Sequence, residues 1–374
     1  MTSPAAPPAP SDRSLPPLHL AVALDGAGWH PAAWRAEGAR PGELFTAGYW
    51  GDLVTEAERG LLDLVTFEDA LAVQSVSLRG PDDRTDQVRG RLDAVLIAGR
   101  VAPLTSRIGL VPTTNVTHTE PFHLSAALAT LDHASLGRAG WRPQISARAD
   151  DAAHFGRRAP ATLAEADLAS PETISGRLAA LFDDAAESLA AVRGLWSGRA
   201  PDLPVTVLAH ARIPYELAAK GGDVVFVTPH SPEDTAAVLT EVAAAARAVG
   251  RPAERPLKVF ADLLVLLDDR PGEAARWKER LDELDGAPLA SDAEIFTGTP
   301  AELADLLLAW RTVDTAGLRL DGFRLRPARL PHDLRAITRA LVPELQRRGA
   351  FRTAYRSDTL RGHLDLPAPT GPPS

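Results

Sequence analysis

The feature that most constrains this chain is an alternation of short apolar runs with longer segments that are apolar on one side only. It is clearest between residues 107 and 156. Residues 108–111 (IGLV) form a short apolar run, closed by Pro112 and a cluster of Thr113, Thr114 and Asn115. A segment of helical spacing follows, with Phe122, Ala126, Leu128 and Leu131 on one side. Residues 136–138 (LGR) punctuate it, and a second run, 139–146, leads into a polar loop. Strand, polar loop, helix, turn and strand make one βα repeat and the start of the next.

Read the same way, the chain places strands at 18–24, 61–67, 108–111, 139–146, 205–208, 224–227, 257–267 and 318–325. Helical spacing falls at 51–60, 88–102, 174–195, 215–220, 233–249, 273–284, 300–310 and 332–348. The helix at 300 starts on a Thr-Pro pair, with Thr299 as N-cap and Pro300 in the first turn. Residues 291–298 (SDAEIFTG) read as an insertion. Eight strand-then-helix units are the count of an α/β protein of the (β/α)8 TIM-barrel kind, here with loop insertions. The rival, an open doubly wound sheet, ordinarily carries a Gly-rich phosphate fingerprint after an early strand, and none is present. The expected organisation is one barrel domain over 18–364, between disordered tails at 1–17 and 365–374.

Composition narrows the function classes. A net charge of −9 argues against non-specific nucleic-acid binding, which needs a basic surface. The absence of cysteine rules out disulfides, thiolate metal sites and cysteine nucleophiles. No stretch approaches the ~20 apolar residues of a membrane span. Residues 1–17, rich in Ala, Pro and Ser, lack the basic start and apolar run of a secretory signal. A soluble cytoplasmic protein with no membrane contact is the expectation.

In a barrel the reactive groups lie at the carboxyl ends of the strands. Those ends carry Asp25 with Trp29 and His30, Glu68 with Asp69, residues 113–118, Gln144 with Ser146, His210 with Arg212, Thr228 with His230, and Arg324 with Arg326. The set holds no HExxH or similar spacing, so no metal site is expected, and no GxSxG elbow for acyl transfer. Its aromatic and hydroxyl surface suits a planar organic ligand. Plainer roles stand beside each candidate. Asp69 is also placed to cap the next helix, Thr113 and Asn115 to satisfy a tight loop, and the Trp-rich loop 29–50 to plug the barrel or meet another subunit.

Several motifs carry a resemblance: residues 131–141 (LDHASLGRAGW), 154–156 (HFG), 66–70 (TFEDA) and 342–364 (VPELQRRGAFRTAYRSDTLRGHL). In this order they resemble the bacterial-luciferase-like, flavin-dependent monooxygenases of the nitrilotriacetate-monooxygenase type, from about residue 18 to 364. The resemblance implies a luciferase-like TIM barrel that takes reduced FMN from a separate flavin reductase. With molecular oxygen, such an enzyme oxygenates a small organic substrate. By match to motif positions it implies that Asp69, Thr113, Asn115 and His154 face the flavin, with Trp29 and His30 shaping the substrate side as the catalytic candidates. It also implies a homodimer.

The family's loop after the fifth strand is Gly/Ser-rich and holds the FMN phosphate. Here residues 208–219 read LAHARIPYELAA, in which Pro214 lacks an N–H donor. Arg212 is the candidate replacement, gripping phosphate through its fork of donors, with Arg157 or Arg158 beside it. Two further readings follow from that departure. One is a barrel that takes a deazaflavin for hydride transfer; the other is a paralogue without catalysis that serves as a binding or partner subunit.

Overall fold

In the computed structural model the described residues are 15–75, 82–155, 171–196 and 202–367. The chain runs β1 (His19–Leu24), α1 (Ala47–Arg59), β2 (Leu64–Phe67), α2 (Ala94–Val101), β3 (Gly109–Asn115), α3 (Pro121–Ser135) and β4 (Arg142–Gln144). It continues with α4 (Ala149–Ala153), α5 (Pro171–Trp196), β5 (Thr206–Leu208), α6 (Arg212–Gly221), β6 (Val224–Val227), α7 (Pro232–Ala248), β7 (Lys258–Leu267) and α8 (Glu273–Asp285). Then come β8 (Glu294–Gly298), α9 (Pro300–Arg311), β9 (Asp314–Thr315), β10 (Leu318–Arg319), β11 (Gly322–Pro327), α10 (His332–Ala336), α11 (Val342–Arg347) and α12 (Leu360–His363).

Eight of these strands make the barrel. The parallel ladder runs β4-β3-β2-β1-β11-β7-β6-β5. It closes between β4 and β5 through Trp141, whose N–H donates to Pro204 O at 2.9 Å and whose carbonyl accepts from Thr206 N–H at 2.8 Å. Buried on both faces, β1, β2, β6 and β7 read as near-continuous apolar runs.

The ninth strand is the surprise. The stretch expected as an insertion supplies β8, which pairs with the upper half of β7, Leu263 opposite Glu294 through Leu267 opposite Gly298. β6 holds the lower half of β7, Val224 opposite Lys258 through Val227 opposite Ala261. β8 is thus grafted onto β7 without widening the ring. The run 318–325, expected as one strand, divides in two. Ala316 and Gly317, both at positive φ, turn the β9–β10 hairpin, and β11 starts at Gly322. The helix expected over 332–348 holds a π-helical stretch, Ile337–Leu341, in which Val342 N–H reaches back to Ile337 O. It lies just before Pro343, whose nitrogen cannot donate.

Pleating sorts the lumen into layers, because successive strand residues face opposite sides. Ala21, Leu64, Val111, Val224, Phe226 and Phe260 form an apolar layer with Leu360 and Leu364, against which Leu366 packs. Gly109 and Gly140 admit Leu360, since a Cβ on either would stand 2.4 or 2.7 Å from its methyl groups. Two of the motifs that carry the family resemblance therefore meet here. Further along the strands, toward their carboxyl ends, the lumen turns polar.

Candidate active site at the barrel mouth

Two residues beyond Leu64, Val111 and Phe260 stand Thr66, Thr113 and Asp262. The polar Thr113 and Asn115, expected in a loop, are in fact the upper part of β3. Alternation separates Thr113, which accepts from Arg142 Nε at 2.8 Å, from Thr114, which accepts from Trp141 Nε1 at 2.7 Å.

Around Thr66, Thr113 and Asp262 runs a chain of alternating charges. Arg142 bonds Glu68. Arg324 Nη1 lies 3.6 Å from Glu68 Oε1 and donates to Thr66 Oγ1 at 3.3 Å. Its Nε and Nη2 grip the two oxygens of Asp262 at 2.8 and 2.5 Å. Arg326 Nε shares Asp262 Oδ2 at 2.8 Å, and its Nη1 donates to Asp292 Oδ1 at 2.5 Å. Asp292 Oδ2 then lies 3.4 Å from His210 Nε2, whose Nδ1 lies 2.9 Å from Thr228 Oγ1. The Phe226 ring sits 4.3 Å from the Arg324 guanidinium carbon.

Three arginines thus face three carboxylates, and Arg324 and Asp262 have no solvent contact. Burial alone would push the Glu68 and Asp262 carboxyls up. Arg142 and Arg324 overcome it at Glu68, Arg324 and Arg326 overcome it at Asp262, and both groups are held below the usual carboxylate range.

A cleft of about 250 Å³ opens beside the end of β1, lined by Asp25, Trp29, Trp34, Gln74, Gln87 and Arg91 among others. A smaller cavity shares Asp25 and Arg91 with it and reaches Glu68. Arg91 pairs with Asp25, Nε to Oδ1 at 2.8 Å. Glu68 Oε1 is buried and accepts no hydrogen bond.

The expected site residues are distributed unevenly around this centre. Trp29 is a wall of the cleft, its Nε1 donating to Ala23 O at 3.0 Å and its ring 4.8 Å from the Arg326 guanidinium carbon. His30 is 1% exposed. Its Nδ1 accepts from Ala32 N–H at 3.1 Å, so the proton is on Nε2, facing Asp282 Oδ1 at 3.0 Å. Burial lowers its pKa against the opposing pull of Asp282.

Asp69 accepts from Ala70 N–H at 2.7 Å and from Ala94 N–H at 3.2 Å at the start of α2, and burial raises its pKa. Asn115 is buried and accepts from His118 N–H at 3.0 Å. His154 is exposed at the end of α4. Arg212 opens α6 with its side chain 81% exposed and bonded to Glu216 at 2.8 Å. Arg157 and Arg158 lie outside the described residues.

Sequence reasoning gave no role in the site to Arg142, Asp262 or Asp292. Asp262 did leave a trace, a lone carboxylate inside the apolar run KVFADLLVLL. Two helix amino termini also face this end. α6 has Ala211 at its N-cap, with no side-chain bond. At α7, the Asp234 carboxylate accepts from His230 N–H at 2.8 Å, and Ser231 Oγ accepts from Asp234 N–H at 3.1 Å.

The model of the luciferase-like monooxygenases matches residues 27–311. The chain belongs to that family. Among curated luciferase-like relatives, nitrilotriacetate monooxygenase component A of Aminobacter aminovorans is 27% identical, over 94% of this chain and 97% of its own. N-acetyl-S-(2-succino)cysteine monooxygenase of Bacillus subtilis is likewise 27% identical, with the same coverage. Among solved structures, EDTA monooxygenase from Chelativorans sp. BNC1 superposes with a TM-score of 0.76 at 21% identity, over 94% of this chain and 99% of that one. The first of these alignments extends over 444 positions, more than the 374 residues of this chain, so the relative carries insertions that this luciferase-like barrel does without.

Proposed function

We propose that this luciferase-like barrel is a flavin-dependent monooxygenase. It takes reduced FMN from a separate reductase and uses molecular oxygen to oxygenate a small organic substrate. The observation that carries the reading is the cleft at the ends of β1 and β2. It has aromatic walls at Trp29 and Trp34, and the adjoining cavity leads to a buried carboxylate oxygen on Glu68 that still lacks a donor. Such a place holds a flat, partly polar organic molecule and offers an acceptor to one of its N–H or O–H groups. The charged layer beneath is packed and internally neutralised, which keeps water from reaching the mouth through the lumen.

FMN brings a flat ring and a phosphate dianion, and the mouth treats the two halves differently. The ring finds aromatic walls and the Glu68 acceptor. The phosphate finds no fit among the described residues in this arrangement. Each arginine of the layer already faces a carboxylate, Arg212 lies in solvent with Glu216, and the Asp234 carboxylate occupies the amino end of α7 where an anion would sit. The same charge balance favours a second reading, a barrel that serves as a binding or partner subunit.

Titration under argon with oxidised FMN, reduced FMN and a reduced deazaflavin, followed by tryptophan fluorescence, separates the readings. The proposal expects saturable binding of reduced FMN. Response to the deazaflavin alone would move the chain to hydride transfer, and no response to any of the three would leave the partner-subunit reading.

A further inference from the structure

The three carboxylates that balance the arginine layer are not alike. Glu68 and Asp262 are buried at 9% and 0% exposure, on or directly after barrel strands. Asp292 belongs to the irregular segment between α8 and β8, and its side chain is 45% exposed. It reaches inward to Arg326, whose own side chain is 3% exposed, and to His210 at the end of β5. Arg326 Nε and Nη2 are already satisfied by Asp262, so Nη1 is the part of the guanidinium that depends on Asp292.

We propose that Arg326 and His210 form a seat for an oxyanion carried by a ligand, a phosphate or a carboxylate, and that the Asp292 carboxylate is the built-in stand-in for it. The seat lies at the carboxyl ends of β5 and β11, the ligand end of a barrel. Arg326 there is a preformed, buried fork donor held in place by Asp262 on one side and by the Trp29 ring on the other. Withdrawal of Asp292 leaves the layer with one uncompensated positive charge and an unpaired buried N–H, which an entering oxyanion restores. The backbone permits the exchange. Asp292 stands two residues before β8, so it can swing out while β8 stays paired to β7 from Glu294 onward. The misfit of the FMN phosphate described above disappears once this seat opens, but the seat does not depend on the ligand being a flavin.

Asp292→Ala tests the proposal, with Asp292→Asn as the variant that keeps an acceptor near Arg326. Isothermal titration with inorganic phosphate and, separately, with acetate is expected to show at least one of them bound tenfold or more tighter by Asp292→Ala than by the unmodified protein. The same anion is expected to raise the thermal midpoint of Asp292→Ala and to leave that of the unmodified protein in place, a readout that survives if the variant is unstable alone. Adding His210→Gln is expected to reverse several-fold of the gain. FMN tightened without riboflavin assigns the seat to the flavin phosphate; acetate tightened with FMN unchanged assigns it to a carboxylate ligand. Equal anion affinities for Asp292→Ala and the unmodified protein, with no anion-dependent midpoint in either, would overturn the seat and leave the monooxygenase proposal standing on its own flavin titration.

Discussion

Arg324 has no solvent contact, and its guanidinium is divided among Asp262, Glu68 and Thr66. A charge in that position is tolerated only while its partners remain, because breaking a buried pair leaves the other charge uncompensated at about 3–5 kcal/mol. Asp262→Ala, which strands Arg324 and Arg326 together, is therefore expected to lower unfolding stability by about that much. Urea denaturation measures it, and a loss below about 1 kcal/mol, the scale of an exposed pair, would mean that the layer does not hold the mouth together. Part of this layer is legible in the sequence. Arg324 and Arg326 fall two apart on a strand, so they share a face, and Asp262 is a lone acid in an apolar run. Asp292 is not legible. Its partner Arg326 lies 34 residues away, and the irregular segment that carries it has no periodicity to read. Thr113 and Asn115 were singled out as candidates, but as loop residues. Hydroxyl and amide side chains before a helix ordinarily mark a turn, and burial on the pleated surface outweighed that preference.

At the scale of elements, α1 is fastened to the closing helix by Glu56. Its carboxylate accepts from Thr338 Oγ1 at 2.6 Å and from Arg339 Nε and Nη2, both at 2.8 Å. The Arg339 bonds, aided by Thr338 against the cost of burial, take the Glu56 pKa from an ordinary 4.5 down to about 2. A depressed carboxylate contributes stability that is present above the unfolded value and lost as pH falls through the folded one. Since Arg339 is 60% exposed, solvent screening reduces the contribution to about 1 kcal/mol. Glu56→Gln is thus expected to cost that amount at pH 7, with the gap from the unmodified protein closing between pH 4.5 and about 2. Urea midpoints across that range measure it, and an unchanged midpoint at pH 7 would dismiss the clamp. The helix containing Arg339 was readable from its spacing, but the π-helical stretch that brings Thr338 and Arg339 to Glu56 was not, because one extra residue in a turn leaves the apolar pattern nearly intact. β8 escaped for a related reason. It is short and half-covered, with no run of buried apolar residues to announce it.

For the whole molecule, the alternation of strand and helix carried most of the information. Eight parallel strands joined by helices leave few architectures, and the ring closed as expected. The cleft and the charged layer were only partly foreseeable, since they depend on which strand ends meet across the lumen. The connections after β5 and β6, residues 209–211 and 228–231, are short. The lining of this mouth therefore comes from strand ends, from His210, and from the segments after β1, β2 and α8. On the proposed function, this luciferase-like mouth shelters a reduced flavin while oxygen reacts. The most direct measurement is stopped-flow mixing of oxygenated buffer with reduced FMN, with and without an excess of the protein. The account predicts that flavin reoxidation is delayed when the protein is present; superimposable traces would contradict it.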